Sequence, residues 1–173
     1  MANPSIKSSP VYAFIDGQNL YKSVEEQKWK LNYQKFRIYL KDKFNVQKAF
    51  YFIGYMKEMK WLYELLKKTG YIPIYKKILY YDPNDLEKTK GNIDAELVLH
   101  TMIHYHEFSQ AVVVAGDGDY YCLVEYLNKT NKLRSIIIPN KKKYSALLRD
   151  FGNKRFFLSD ERKKLEFKSS EIK

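Results

Sequence analysis

The stretch Ala111-Val112-Val113-Val114-Ala115-Gly116-Asp117-Gly118-Asp119-Tyr120 decides the fold. Small and β-branched apolar residues run without a polar break into two carboxylates separated by one glycine. Such a run reads as a strand buried on both faces, as the central strands of α/β sheets are. It delivers Asp117 and Asp119 to the carboxyl edge of the sheet, where open α/β folds place their sites. After the acids, Tyr120, Leu123, Val124 and Leu127 recur at helical spacing, so a helix follows.

Outward from this strand, apolar runs and helical periodicity alternate. Just before it, Ile93 to Phe108 reads as the clearest helix, with Ala95, Val98, Leu99, Met102 and Ile103 predicted to pack on the sheet. Val11-Tyr12-Ala13-Phe14-Ile15 is the first strand, turned by Asp16-Gly17-Gln18-Asn19 into a helix to about Gln27. A second helix covers Asn32 to Lys43, a second strand Val46 to Tyr55, and a third helix Lys57 to Thr69, closed by Gly70. The third strand, Tyr71 to Tyr75, contains Pro73, which cannot donate to a ladder, so it belongs at a sheet edge. An extended piece at Ile78-Leu79-Tyr80 and a polar loop around Asp82-Pro83-Asn84 follow. Beyond the opening strand come a strand at Ser135 to Ile138, a short helix at Tyr144 to Arg149 and a short strand at Arg155 to Leu158. Strands alternating with amphipathic helices imply parallel units with right-handed crossovers. The expected fold is therefore a three-layer α/β domain with a mostly parallel sheet of five or six strands. Residues 1–10 read as a flexible N-terminus, 11–158 as the domain, and 159–173 as a basic, loosely held tail.

At 173 residues the chain can bury a sizeable core without staples. Its 31 Lys and Arg against 20 Asp and Glu leave a net charge of +11, which favours a polyanionic partner. Sixteen tyrosines add groups that stack on bases or bond to phosphates. A single cysteine, Cys122, excludes an internal disulfide and a multi-thiolate metal site, and it has no His–acid set to make it a nucleophile. The first ten residues lack the apolar core of a signal peptide, and no run approaches the ~18 apolar residues of a membrane span. A cytoplasmic location with no membrane partner is the expectation.

Four acids stand where the sheet edge would gather them. Asp16 ends the first strand, Asp117 and Asp119 end the strand quoted above, and Asp94 opens a helix within Lys90-Gly91-Asn92-Ile93-Asp94-Ala95-Glu96. If those two strands are neighbours, the four carboxylates converge and repel unless a cation neutralises them. Mg2+ or Mn2+ suits such hard oxygen donors. Each acid also has an ordinary reading: Asp119 as a helix cap, Asp16 as a turn residue, Asp94 as a charge favouring a helix N-terminus. Asp117 is hardest to explain that way. Glu96 ranks second, because residues two apart do not share a helix face. His100 and His104 fall opposite the apolar stripe, toward solvent, and His106 on the packed face; none reads as a metal ligand. Lys90, and Lys141-Lys142-Lys143 after the fifth strand, are placed to hold a nucleic-acid backbone, or else form a solvated charge run.

With these motifs in place, the chain resembles NYN-domain proteins of the LabA-like group, within the PIN-like nuclease superfamily. The resemblance rests on Phe14-Ile15-Asp16-Gly17-Gln18-Asn19-Leu20, then Lys90-Gly91-Asn92-Ile93-Asp94, then Ala115-Gly116-Asp117-Gly118-Asp119-Tyr120, in that order. Ser145 with Leu148, Asp150 and Phe151 is a fourth match, the helix after the fifth strand. The resemblance implies strand order 3-2-1-4-5 and a metal-dependent ribonuclease leaving 5′-phosphate ends. By position it makes Asp16, Asp94, Asp117 and Asp119 the metal-binding acids and Asn19 a polar helper near the scissile phosphate. The aromatic after the last acid is usually Phe in the family; Tyr120 is a mild departure. RNA, single strands included, is the expected substrate, and a homodimer, which would extend the basic surface, the expected assembly. The alternative is a non-catalytic RNA-binding or scaffold protein on the same fold. A haloacid-type phosphatase would need its Asp-x-Asp pair after the first strand, which offers only Asp16.

Overall fold

The computed structural model of the chain describes residues 10–76 and 93–168. Six strands form one sheet: β1 (Val11–Asp16), β2 (Val46–Gly54), β3 (Ile72–Lys76), β4 (Gln110–Val114), β5 (Leu133–Ile138) and β6 (Arg155–Phe157). Their order is β3-β2-β1-β4-β5-β6, and every pairing is parallel. The 3-2-1-4-5 order implied by the resemblance is present, extended by β6 at one edge. The Pro73 strand lies at the other edge, where a missing ladder donor costs nothing.

Alternation along the strands sends side chains to two helical layers. Ala13, Ile15, Val112 and Val114 face one side, with Leu20 and Val24 of α1 (Gly17–Glu25), Phe36 and Leu40 of α2 (Tyr33–Phe44), and Leu62 and Leu66 of α3 (Lys60–Lys68). Phe14, Ala111, Val113 and Ala115 face the other, with Leu97 of α4 (Asp94–Ile103) and Leu123, Val124 and Leu127 of α5 (Tyr121–Lys129). In β1 and β4, Phe14 pairs with Val113 and Ile15 with Val114. The neighbouring strand ends therefore bring Asp16 and the Gly116-Asp117 turn to one edge.

The structure corrects the sequence reading in three places. The first is the rotation of α4. Ala95, Leu99, Met102 and Ile103, expected to pack on the sheet, are exposed, Leu99 and Ile103 each at 58%. Ile93, Leu97 and Thr101 are buried instead, and Val98 is partly buried. His100 and His104, expected toward solvent, are half-buried against the sheet: His100 packs edge-on to Phe52 and His104 stacks on Phe50 at 4.6 Å. His106, expected inside, is exposed. At ~100° per residue the two faces are nearly opposite. A face of mixed Leu, Thr and His was chosen because the sheet beneath it presents aromatic rings, which accept imidazoles, and because Asp94 is tied from below.

The second correction is the tail. Leu165 of α6 (Arg162–Leu165) is buried in the first layer, its carbonyl accepts the Asn32 N–H at 2.8 Å, and Glu166 bridges Leu31 antiparallel. Residues 159–168 are thus packed rather than loose. The third is the expected helix at Tyr144–Arg149, which is a 3-10 segment, Ala146–Lys154, interrupted at Gly152 with φ of 46°. The extended piece at Ile78–Tyr80, the Asp82-Pro83-Asn84 loop and Lys90 lie outside the described residues.

The rotation of α4 has a direct test in thermal and urea denaturation. Leu97→Ala should cost about 2–5 kcal/mol, as buried leucines do. Leu99→Ala should stay within about 0.5 kcal/mol of the parent, as exposed positions do. The reverse ranking would restore the rotation read from hydrophobicity.

Candidate active site

Asp16 is the last residue of β1 and the N-cap of α1. Its Oδ1 accepts the Asn19 N–H at 2.8 Å, satisfying one orphan donor of the helix start. The next residue must be glycine, since a Cβ at Gly17 would run into the Tyr51 ring and lie 2.6 Å from the Phe52 carbonyl oxygen. Asn19 ties the neighbouring turn to this one, its Oδ1 accepting the Gly116 N–H at 2.9 Å. Its Nδ2 protons have no partner among the described residues.

The second oxygen of Asp16 meets a residue that periodicity alone placed in the core. The Tyr120 hydroxyl lies 2.9 Å from Asp16 Oδ2 and 2.6 Å from Asp94 Oδ1, and the side chain is fully buried. Tyr120 closes a 3-10 turn, Gly118–Tyr120, that follows Asp117. A phenol has one proton to donate. Burial first, then the charge of Asp16 and the hydrogen bond to Asp94, raises its pKa far above the ordinary range, so that proton stays. With both carboxylates ionised, one of the two short contacts therefore lacks a hydrogen. Burial also pushes the Asp16 carboxyl up to about 6, and the charges of Asp94 and Asp117 add to the rise, partly offset by the bonds from Asn19 and Tyr120.

The other sequence-derived candidates take different places. Asp117 is exposed, and it, rather than Asp119, caps the turn, its Oδ1 accepting the Asp119 N–H at 3.1 Å. Its charge is felt at Asp16. Asp119 is exposed and has no side-chain partner among the described residues. Glu96 is engaged by Lys76 at 3.2 Å. Ser145 is beside the acid turn: its N–H donates to the Gly116 carbonyl at 2.9 Å, and a Cβ on Gly118 would collide with its Oγ. Lys141 and Lys143 follow β5 at the same edge but pair with Asp160 at 3.0 Å and Glu26 at 2.8 Å, while Lys142 is exposed. Such surface pairs are weak and exchange readily for phosphate.

Among the described residues, no group of three or more His, Cys, Asp or Glu side chains stands together as a metal cage. The chemistry of Asp16 and Asp94 nonetheless suits a hard divalent cation: the donors are oxygens only, and one phenolic proton is shared between two buried-edge carboxylates. Tyr120 is the residue that sequence reading missed. The signal was a tyrosine at a position of the buried stripe, since a buried phenol needs a partner for its hydroxyl.

The profile of the NYN domain family matches residues 10–159. No curated protein matches the chain significantly. Among solved structures, a protein of unknown function from Vibrio parahaemolyticus superposes with a TM-score of 0.76 at 18% identity, covering 95% of this chain and 100% of its own. That likeness supports the fold. Among the described residues, no helix is long and apolar enough to cross a membrane.

The burial of the Asp16 carboxyl can be measured through stability. In EDTA, Asp16 keeps its proton in the folded state up to about pH 6 but loses it near 3.8 when unfolded, so folding binds a proton between those values. Stability from this group is full below 3.8 and is lost as pH rises through 6. A shift of about two units corresponds to roughly 3 kcal/mol. Asp16→Asn, whose amide can donate to the Tyr120 oxygen, should melt higher than the parent at pH 8. The gain is roughly 2–4 °C per kcal/mol recovered, and the gap should close as pH falls toward 4. A gap that is constant with pH would mean that the carboxyl is not raised.

Proposed function

Because this chain belongs to the NYN domain family of the PIN-like nuclease superfamily, we propose that it is a metal-dependent ribonuclease. The observation that carries the reading is the pair Asp16 and Asp94, held against one Tyr120 hydroxyl at the carboxyl edge of the sheet. A protein that only bound RNA would gain nothing from placing two acids where phosphates must approach.

In this reading Asp16 and Asp94, with Asp117 and Asp119 on the adjoining turn, hold Mg2+ or Mn2+. When bound, such an ion supplies an activated water and stabilises the leaving 3′ oxygen, giving 5′-phosphate ends. The residues of the chain do the rest. Tyr120 fixes the spacing of Asp16 and Asp94, and the α1 cap fixes the rotamer of Asp16. Asn19, whose carbonyl oxygen is occupied by Gly116, offers its amide protons to a phosphate oxygen. Ser145, beside the acid turn, offers a hydroxyl. Lys142, with Lys141 and Lys143 once released from their acidic partners, holds the RNA backbone, as does Lys90 by its place in the sequence. RNA as substrate, a homodimer, a cytoplasmic location and placement in the LabA-like group all belong to this proposal.

The test is cleavage of single-stranded and structured RNA with Mn2+, with EDTA, and with Asp117→Asn. Products should appear with Mn2+ alone and fall by at least roughly 100-fold, about 3 kcal/mol of barrier, in the other two conditions. Equal cleavage in all three would mark a contaminating enzyme and sink the proposal. Salt-sensitive binding with no product in any condition would support the non-catalytic alternative.

A further inference from the structure

A second feature of the carboxyl edge lies one and two strands away from the acids. The chain leaves β2 through a short 3-10 turn, Lys57–Met59, directly into α3, so Tyr55, Lys57, Lys60 and Trp61 all stand at that edge. Phe52 of β2 is in register with Asp16. Tyr55 is three residues further on, roughly 10 Å along the strand and about 5 Å to the side. That separation is a few nucleotides of a single strand.

Two large rings there are turned to solvent. Trp61 is 60% exposed and Tyr55 42%. Tryptophan is on average a well-buried residue, so exposure on this scale calls for a purpose. The Tyr55 ring rests on a built support. Tyr55 lies over Tyr63 at 5.5 Å and 23°, and Tyr75 meets both edge-on, at 5.8 and 4.9 Å. The Tyr63 hydroxyl accepts the Met56 N–H at 2.7 Å and donates to the Gly54 carbonyl at 3.1 Å, and the Tyr55 N–H donates to the Lys76 carbonyl at 2.9 Å. Tyr55 is thus held ready, and little side-chain freedom remains to be lost on contact. Lysines Lys57, Lys60, Lys67 and Lys68 outnumber the acids Glu58 and Glu64 on the same segment. Lys57 and Lys60 are exposed, two residues after Tyr55 and one before Trp61 in the chain. Stacking platforms flanked by cations are what an unpaired nucleic-acid strand requires, whereas an apolar protein partner would be met by the lysines as a desolvation cost.

We propose that this end of β2 and β3, with the first turn of α3, is a binding tract for single-stranded nucleic acid. Tyr55 and Trp61 each stack on a base of the strand, and Lys57 and Lys60 take the phosphates. As a feeder of the acid site the tract rests on the ribonuclease reading; as a binding surface it is measured without it. The tract selects unpaired strands, because paired bases do not offer their faces.

The test uses a fluorescein-labelled short oligouridylate in EDTA, followed by anisotropy and by tryptophan fluorescence, with duplex RNA of equal length as comparator. The chain has two tryptophans, and Trp29 is buried, so Trp61 is the reporter. The single strand should quench tryptophan emission saturably, and Trp61→Phe should abolish the quench while keeping most of the affinity. Trp61→Ala and Tyr55→Ala should each weaken binding roughly 5- to 100-fold, the worth of a lost base–aromatic stack. Affinities of both alanine variants within about twofold of the parent would overturn the tract. So would tighter binding of the duplex, or a loss of self-association in Trp61→Ala with RNA affinity unchanged. A parent protein that binds and quenches but makes no product with Mn2+ would retire the ribonuclease reading and leave the tract standing.

Discussion

One phenolic proton between two carboxylates is the constraint on which the rest of this structure turns. Tyr120 joins the end of β1 to the start of α4 from a turn that follows β4, so three elements distant in sequence meet at a single hydroxyl. Burying Asp16 is costly on its own, and the fold offsets that cost only in part, through the Asn19 N–H and the Tyr120 hydroxyl. A buried carboxyl that stays raised at a sheet edge is characteristic of sites built for a ligand.

The same contact accounts for the departure of α4 from its hydrophobic pattern. Once Asp94 is turned toward Tyr120, Leu97 and Thr101 must face the sheet and Leu99 and Ile103 must face away. The loss of two leucine-sized side chains from the core is tolerated because Phe50 and Phe52 receive His104 and His100 instead. A carboxylate tied to a buried hydroxyl thus outweighs the apolar stripe. Local rules are expected to fail at such positions, where a site competes with packing.

Across the carboxyl edge, the two halves of the sheet carry different chemistry. The β1 and β4 ends hold the acids, with Ser145 and the Lys141–Lys143 run beyond them. The β2 and β3 ends hold aromatic rings and lysines. A strand of nucleic acid crossing the edge would meet stacking surfaces and positive charge before it met the carboxylates. The acids alone would repel it.

The sequence by itself determined the architecture: alternating apolar strands and amphipathic helices require a parallel sheet, Pro73 requires an edge, and the family resemblance carried by three motifs implies the strand order. It also marked Asp16, Asp94, Asp117 and Asp119 by their positions at element ends. What it could not determine was which of these share a contact. Asp16 and Asp94 meet only because Tyr120 reaches between them, and a hydroxyl added to a core position leaves no trace in a hydrophobic pattern. The cap on the acid turn fell to Asp117 rather than Asp119 because a 3-10 turn intervenes before α5. The packed face of α4, the seat of Leu165 and the support under Tyr55 were likewise decided by the tertiary structure. Each depends on what lies across the sheet or the layer, and periodicity describes only one segment at a time.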